Sequence, residues 1–214
     1  MFLGHFAAGF GAKAAAPKTS LGSLFLAAQF IDLLWPTLLL LGAEQVRIDP
    51  AATKVVPLDF EHYPISHSLA AVIGWALAVA LLYQAIRRYP RGAVVLGALV
   101  LSHWALDLVV HRPDLALYPG GPKVGFGLWS SLPATLAVEC ALFAVGVWLY
   151  ARTTRPNDRT GQWALWSLVV VLLAIYAANL FGPPPESTTA IAWVGHAQWL
   201  LVLWGYWIDR HRTA

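Results

Sequence analysis

The stretch Ala93 to Val110 reads AVVLGALVLSHWALDLVV. It is apolar throughout except at Ser102, His103 and Asp107, and it contains no Lys or Arg. Such a run approaches the 20 or so residues that cross about 30 Å of hydrocarbon. On a helix, positions four apart share a face, so His103 and Asp107 present an imidazole and a carboxylate to the same point. Groups of this kind are expensive in lipid unless they pair, line a cavity or bind an ion. The stretch therefore predicts a membrane helix that carries chemistry.

Five more apolar stretches surround it: Ser20 to Ala43, His67 to Ile86, Leu128 to Ala151, Gln162 to Phe181 and Thr188 to Ile208. Phe2 to Ala16 is too short to span and reads as the arm of a hairpin turning at Pro17-Lys18-Thr19-Ser20, with a helix breaker and two candidate N-caps. The expected fold is all-α, a polytopic membrane helical bundle with a short N-terminal helix plus six transmembrane helices. One integral membrane domain, 1–214, is expected. Its metal-site half is 1–115, and 128–214 holds three further helices.

Composition agrees. The chain is 58% hydrophobic and 12% charged, where a soluble domain carries about 25% charge. Mean hydropathy is +0.61. The net charge of +3 does not indicate a nucleic-acid partner, because the basic residues fall in short inter-helix segments and form no stripe. A Gly-rich phosphate loop is absent. Cys140 is alone, so the chain forms no internal disulfide. The 11 tryptophans suit interfacial belts. Met1 to Ala16 ends in three alanines, but its charge, Lys13, follows the apolar run where a signal peptide carries it before. The segment is read as retained.

Basic residues set the orientation. Lys13 and Lys18, then Arg87, Arg88 and Arg91, then Arg152, Arg155 and Arg159, and finally Arg210 and Arg212 form four clusters. Segments 44–62, 111–127 and 182–187 alternate with them and hold fewer basic residues. The positive-inside rule places the clusters in the cytoplasm.

Helix rise then gives depth. His5 lies 12 residues before Pro17, Asp32 12 after Ser20 and His103 12 after Arg91, which puts all three about 18 Å above the cytoplasmic turns. Asp107 is one turn higher. His62 and His67 come from Glu61-His62-Tyr63-Pro64-Ile65-Ser66-His67-Ser68. Counted up from Arg87, His67 stands about 10 Å too high; the gap closes if that helix continues past Arg87 or if the Pro64 loop dips inward. His5, Asp32, His67, His103 and Asp107 form a nitrogen-and-oxygen donor set of the zinc type. With His62 there are six groups, enough for two ions, or for one ion and its supporting groups.

Plainer readings stand beside this one. His5 reads equally as an interfacial histidine, Asp32 as a cap before a Pro36 kink, and His103 with Asp107 as a pair stitching two helices. His111 continues the same face but falls at the water boundary. Glu139 and His196 are candidates for substrate contacts or for structural hydrogen bonds, and Asn179 is less informative.

The order Gly4-His5, Ile31-Asp32, His62 through His67-Ser68, and His103 through Asp107 resembles the bacterial inner-membrane metal-dependent hydrolases, also labelled LexA-binding hydrolases. The resemblance covers about the first 115 residues. That family is distantly similar to the zinc-dependent phospholipase C and nuclease superfamily, which implies that Asp107 bridges two ions. Tyr63, Pro64 and Ser66 stand where the family's loop often has Arg, Gly and Thr, so Arg112 or Lys123 is the candidate to grip phosphate instead. The Asp32 segment also lacks the family's preceding Pro and second Asp.

The expectation is a hydrolase of a lipid or isoprenoid phosphate in the bacterial inner membrane, working in the outer leaflet with one or two divalent ions, zinc first. His62 or Glu139 is the candidate base. The rival expectation is a metal or proton transporter using the same groups. A scaffold with a structural metal is the third.

Overall fold

The apolar runs become helices in the computed structural model, which describes Met1–Ala214. In chain order these are α1 (Phe2–Ala15), α2 (Leu21–Ala28), α3 (Phe30–Leu40), α4 (Pro64–His67), α5 (Leu69–Arg87), α6 (Pro90–Val110), α7 (Leu132–Thr153), α8 (Arg159–Phe181) and α9 (Thr188–Arg210). Three short antiparallel ribbons complete the fold: β1 (Gln45–Ile48) with β2 (Leu58–His62), β3 (Leu115–Ala116) with β4 (Lys123–Val124), and β5 (Arg155–Pro156) with β6 (Arg212–Thr213). Side chains start the helices where the sequence offers oxygen acceptors. Ser20 caps α2, Asp158 caps α8 and Ser187 caps α9, each accepting a backbone N–H from three residues on.

Four helices, α5 to α8, are long and apolar enough to cross a membrane. A fifth span follows if α2 and α3, bent by 55° at their junction, count as one. The helix α9 is as long as α8, at 23 residues, but His196, Gln198 and its tryptophans and tyrosine keep it out of that set. The α2–α3 bend corrects the expected Pro36 kink. The break falls at Gln29, whereas Pro36 lies inside α3.

Helices α1 and α2 form the expected hairpin, and it leads into a stitched basic end. There the Lys13 ammonium donates to Asp209 at 3.0 Å and to the Thr19 carbonyl at 2.9 Å. Tyr83 donates to Thr19, and Arg91 donates to the Ala15 carbonyl. Arg212 donates to the Thr154 hydroxyl and carbonyl and to the Gly161 carbonyl, tying β6 to the β5 turn. All four basic clusters read from the sequence thus lie at one end of the bundle.

Two apolar cores meet along α2. Leu21 and Phe25 join Phe6, Phe10, Phe143, Tyr150 and Leu168, while Leu24, Ala27 and Ala28 join Ile31, Val72, Leu96 and Val100. The expected division between residues 115 and 128 is not a packing boundary, because α1 packs most extensively against α7. Gly146 permits this approach: a Cβ there would stand 2.4 Å from the Ala7 carbonyl oxygen. That packing carries the first helix, and His5 with it, into the interior.

Candidate metal centre

Five side chains converge at the end of the bundle opposite the basic clusters. Helix α1 supplies His5, α3 Asp32, α4 His67, and α6 both His103 and Asp107. His103 Nε2 lies 3.2 Å from Asp107 Oδ2 and 3.6 Å from Asp32 Oδ1. His67 Nε2 lies 3.5 Å from Asp32 Oδ1 and 3.9 Å from Asp107 Oδ2. His5 Nε2 is 3.1 Å from Asp107 Oδ1, which also receives the Met1 amino nitrogen at 2.6 Å. The His5 and His103 rings stack with centroids 3.6 Å apart.

The depth problem at His67 is solved by the loop and not by the helix. Arg88 adopts a left-handed backbone, φ 49°, so α5 ends at Arg87 as the sequence suggested. At the other end Ser68 is extended, which detaches α4 from the axis of α5. The one-turn helix then turns His67 to the cluster, and Trp104 fixes it by donating to the His67 carbonyl at 3.0 Å.

Two of the rings are held in a defined tautomer. Because helix α2 stops at Ala28, its carbonyl is free to accept from His103 Nδ1 at 2.8 Å. A carbonyl can only accept, so Nδ1 carries a proton and Nε2 is the nitrogen turned to the cluster. At His67 the chain of bonds is longer. Glu44, buried, accepts from the Ile65 and Ser66 amides at 2.8 Å each, and from the Ser66 hydroxyl at 2.6 Å. The Ser66 oxygen, having given its proton to Glu44, accepts from His67 Nδ1 at 2.6 Å. The Nε2 of His67 is therefore also the nitrogen turned to the cluster.

Two imidazole nitrogens thus face two carboxylates, one of which also accepts from the Met1 amino group. A cation between them would satisfy the remaining carboxylate oxygens. Ligands about 2.0–2.2 Å from a tetrahedral zinc stand about 3.3–3.6 Å from one another. The four His–Asp separations among Asp32, His67, His103 and Asp107 run from 3.2 to 3.9 Å, and the groups close enough together to share an ion are two triads, His5–His103–Asp107 and Asp32–His67–His103. These buried His and Asp groups could hold a metal ion, and their outer hydrogen bonds are of the kind that orient ligands.

The other sequence candidates lie elsewhere. His62 is exposed at the end of β2, opposite Gln45 in the ribbon. Arg112 is engaged by Asp59 and Asp114 at the surface, and Lys123 reaches the Glu61 carbonyl. Neither lines the cluster cavity: the carboxylates of Asp59 and Asp114 hold Arg112, and the Glu61 carbonyl holds Lys123. Glu139 is buried, but it accepts from the Leu3 amide at 2.8 Å and turns to a separate cavity. His196 is structural: Nδ1 donates to the Ala192 carbonyl, which leaves Nε2 to accept from Thr37 of α3 at 3.0 Å.

Some groups went unread in the sequence. Glu44 and Ser66 gave no spacing signal. His111 was legible as the next turn of the His103–Asp107 face, but the structure buries it where a solvated role was an open reading. Its Nδ1 bonds Asp114 at 2.9 Å, and Asp114 also accepts from the Tyr63 hydroxyl at 3.1 Å. Burial first, and then the Asp114 charge, push the Tyr63 phenol pKa up, so it stays a proton donor.

A cavity of about 510 Å³ begins at Asp32, His67, Asp107 and His111 and continues between α8 and α9, lined there by Val171, Ile175, Leu201 and Trp204. A second, of about 560 Å³, lies under the loops at Pro50–Leu58 and Gly182–Pro185, with Glu139 and Tyr176 in its wall. The two share Phe2, Trp129, Asn179, Ile191 and Val194. No known protein family, no curated protein and no solved structure matches this chain.

Proposed function

We propose that the protein is a membrane-embedded, metal-dependent hydrolase of a phosphoester, with a lipid or isoprenoid phosphate as substrate. One observation carries the reading: the Nε2 atoms of His67 and His103 are aimed, by Ser66 and by the Ala28 carbonyl, at the carboxylates of Asp32 and Asp107. In this reading Asp32, His67, His103 and Asp107 hold a divalent ion of the zinc type. His103 has one free nitrogen, because its Nδ1 is committed, so the groups His5–His103–Asp107 and Asp32–His67–His103 compete for it. This favours one ion, with His5 bracing Asp107 through Oδ1.

A bound divalent ion supplies Lewis acidity, bringing the pKa of a coordinated water to about 7 and offsetting charge on phosphoryl oxygens. The chain supplies the proton handling. His111 lines the cavity one turn beyond Asp107, with its Nδ1 bonded to Asp114 and its Nε2 left to take a proton. Water oxygen forms the new bond to phosphorus, the ester oxygen leaves, and the proton held at His111 passes to that oxygen. His111 replaces His62 and Glu139 as the candidate base on geometry.

Six spans, with the basic clusters in the cytoplasm of a bacterial inner membrane, would put this centre in the outer leaflet. The test is metal analysis of purified protein beside a screen of lipid phosphoesters, repeated on His103→Ala and Asp107→Ala. Stoichiometric metal with metal-dependent phosphate release, both lost in the two variants, is expected. Protein that binds no metal would mean that a second proton on the imidazoles satisfies the carboxylates, and the hydrolase reading would fall.

A further inference from the structure

We infer that the part of the cluster cavity lying between α8 and α9 is the subsite for the hydrocarbon chain of a lipid phosphate, which reaches the centre sideways from the bilayer. The inference rests on the hydrolase reading for the role of the cluster, and on the shape and lining of the cavity for the rest. At one end are Asp32, His67, Asp107 and His111; the other end is walled by Val171 and Ile175 of α8 and by Leu201 and Trp204 of α9. One continuous space thus joins a candidate cation site to an apolar slot, which is the complement of an amphiphile and of neither a free ion nor a sugar. Its volume of about 510 Å³ lies in the roughly 300–1,000 Å³ range of ligand pockets.

The mouth of the slot is on the outer surface of the helices. Val194 and Leu200 of α9, both in its lining, are 70% and 65% exposed, and in the six-span reading, in which α9 crosses the membrane, that surface meets lipid. Residues 171 and 175 of α8 and 191, 194, 198, 201 and 204 of α9 recur at helical spacing, so each helix turns one face to the slot. Gly195 lets α9 lean on α3 instead of closing against α8: a Cβ there would stand 2.5 Å from Pro36 Cγ. The neighbouring cavity under the loops shares Asn179 and Trp129 with the slot.

The experiment uses the whole protein in phosphatidylcholine liposomes, with a long-chain alkyl phosphate bearing a terminal diazirine. Illumination should place the label on residues 171–179 and 191–204. Ala197→Trp, which fills the mouth, and Leu200→Trp beside it should each lower that label about tenfold while far-UV circular dichroism is retained. Label spread evenly over α5 and the other lipid-facing helices, or undiminished in both folded variants, overturns the slot. Labelling needs no turnover, so the two readings fail separately. Protein that labels in the slot and hydrolyses nothing loses the hydrolase reading alone. Protein that hydrolyses a water-soluble aryl phosphate with metal but takes no label there loses the slot alone.

Discussion

At the basic end of the bundle Lys13 meets Asp209 and the Thr19 carbonyl, and Arg212 meets three oxygens of Thr154 and Gly161. At the far end the imidazoles of His67 and His103 meet Asp32 and Asp107 with their Nε2 nitrogens. Both regions bury ionisable groups among apolar helices. At the first, donors answer acceptors, and the result is a clasp. At the second, the Met1 amino group and His5 Nε2 both reach Asp107 Oδ1, while His103 Nε2 and His5 Nδ1 have no hydrogen-bond partner. The difference between them is in the balance of donors: the far end sets three imidazoles and one ammonium around two carboxylates and leaves polar atoms over.

The comparison breaks most directly at Asp107. Asp107→Ala should abolish metal binding, read by metal analysis after dialysis, while leaving the basic end folded. Retention of full metal would remove the distinction between the ends. Lys13→Ala should act in the opposite sense. It strands Asp209 and costs about 3–5 kcal/mol of stability, seen as a lower melting temperature, with metal stoichiometry unchanged in the protein that remains folded. Ser66→Ala sharpens the contrast, because it breaks the Glu44–His67 connection without touching a proposed ligand. Metal affinity should fall about 10–100-fold, as measured by competition with a chelator, and Glu44→Gln should fall less.

The smallest effect concerns acid. Hydrogen bonding from His211, then from the Gly161 amide, holds the Asp158 carboxyl below its usual value. A depressed carboxyl stabilises the fold fully above about pH 4, its unfolded range, and loses that contribution as pH falls through the lowered value. Asp158→Asn should flatten the acid limb of a melting-temperature profile slightly, and metal content at neutral pH should not change.

Much of the centre was legible before any coordinates. The i, i+4 pair at His103 and Asp107 and the height of His5 depend only on rise along one helix; the count to Asp32 ran through the 55° bend at Gln29 and still led to the right end. His67 defied that arithmetic because it sits on its own turn, set off by an extended Ser68. The break at Gln29 had no Pro or Gly to announce it, and Pro36 drew attention to the wrong place. Glu44 comes from a polar inter-helix segment, where a carboxylate reads as solvated. His111 became buried because the chain from Arg112 to Gly127 folds over it, with the Gly127 amide returning to the His111 carbonyl at 2.7 Å. Non-local closure of that sort leaves no periodic trace.

The interrupted helix at Gln29 has one more implication. His103 closes the gap with one nitrogen and serves the centre with the other, so the ring is both keystone and tool. Movement of α3 against α2 would be felt at the lone pair of His103, and replacing that ring would loosen the elbow that carries Asp32. Backbone architecture and the geometry of the His/Asp cluster in this molecule therefore have to change together.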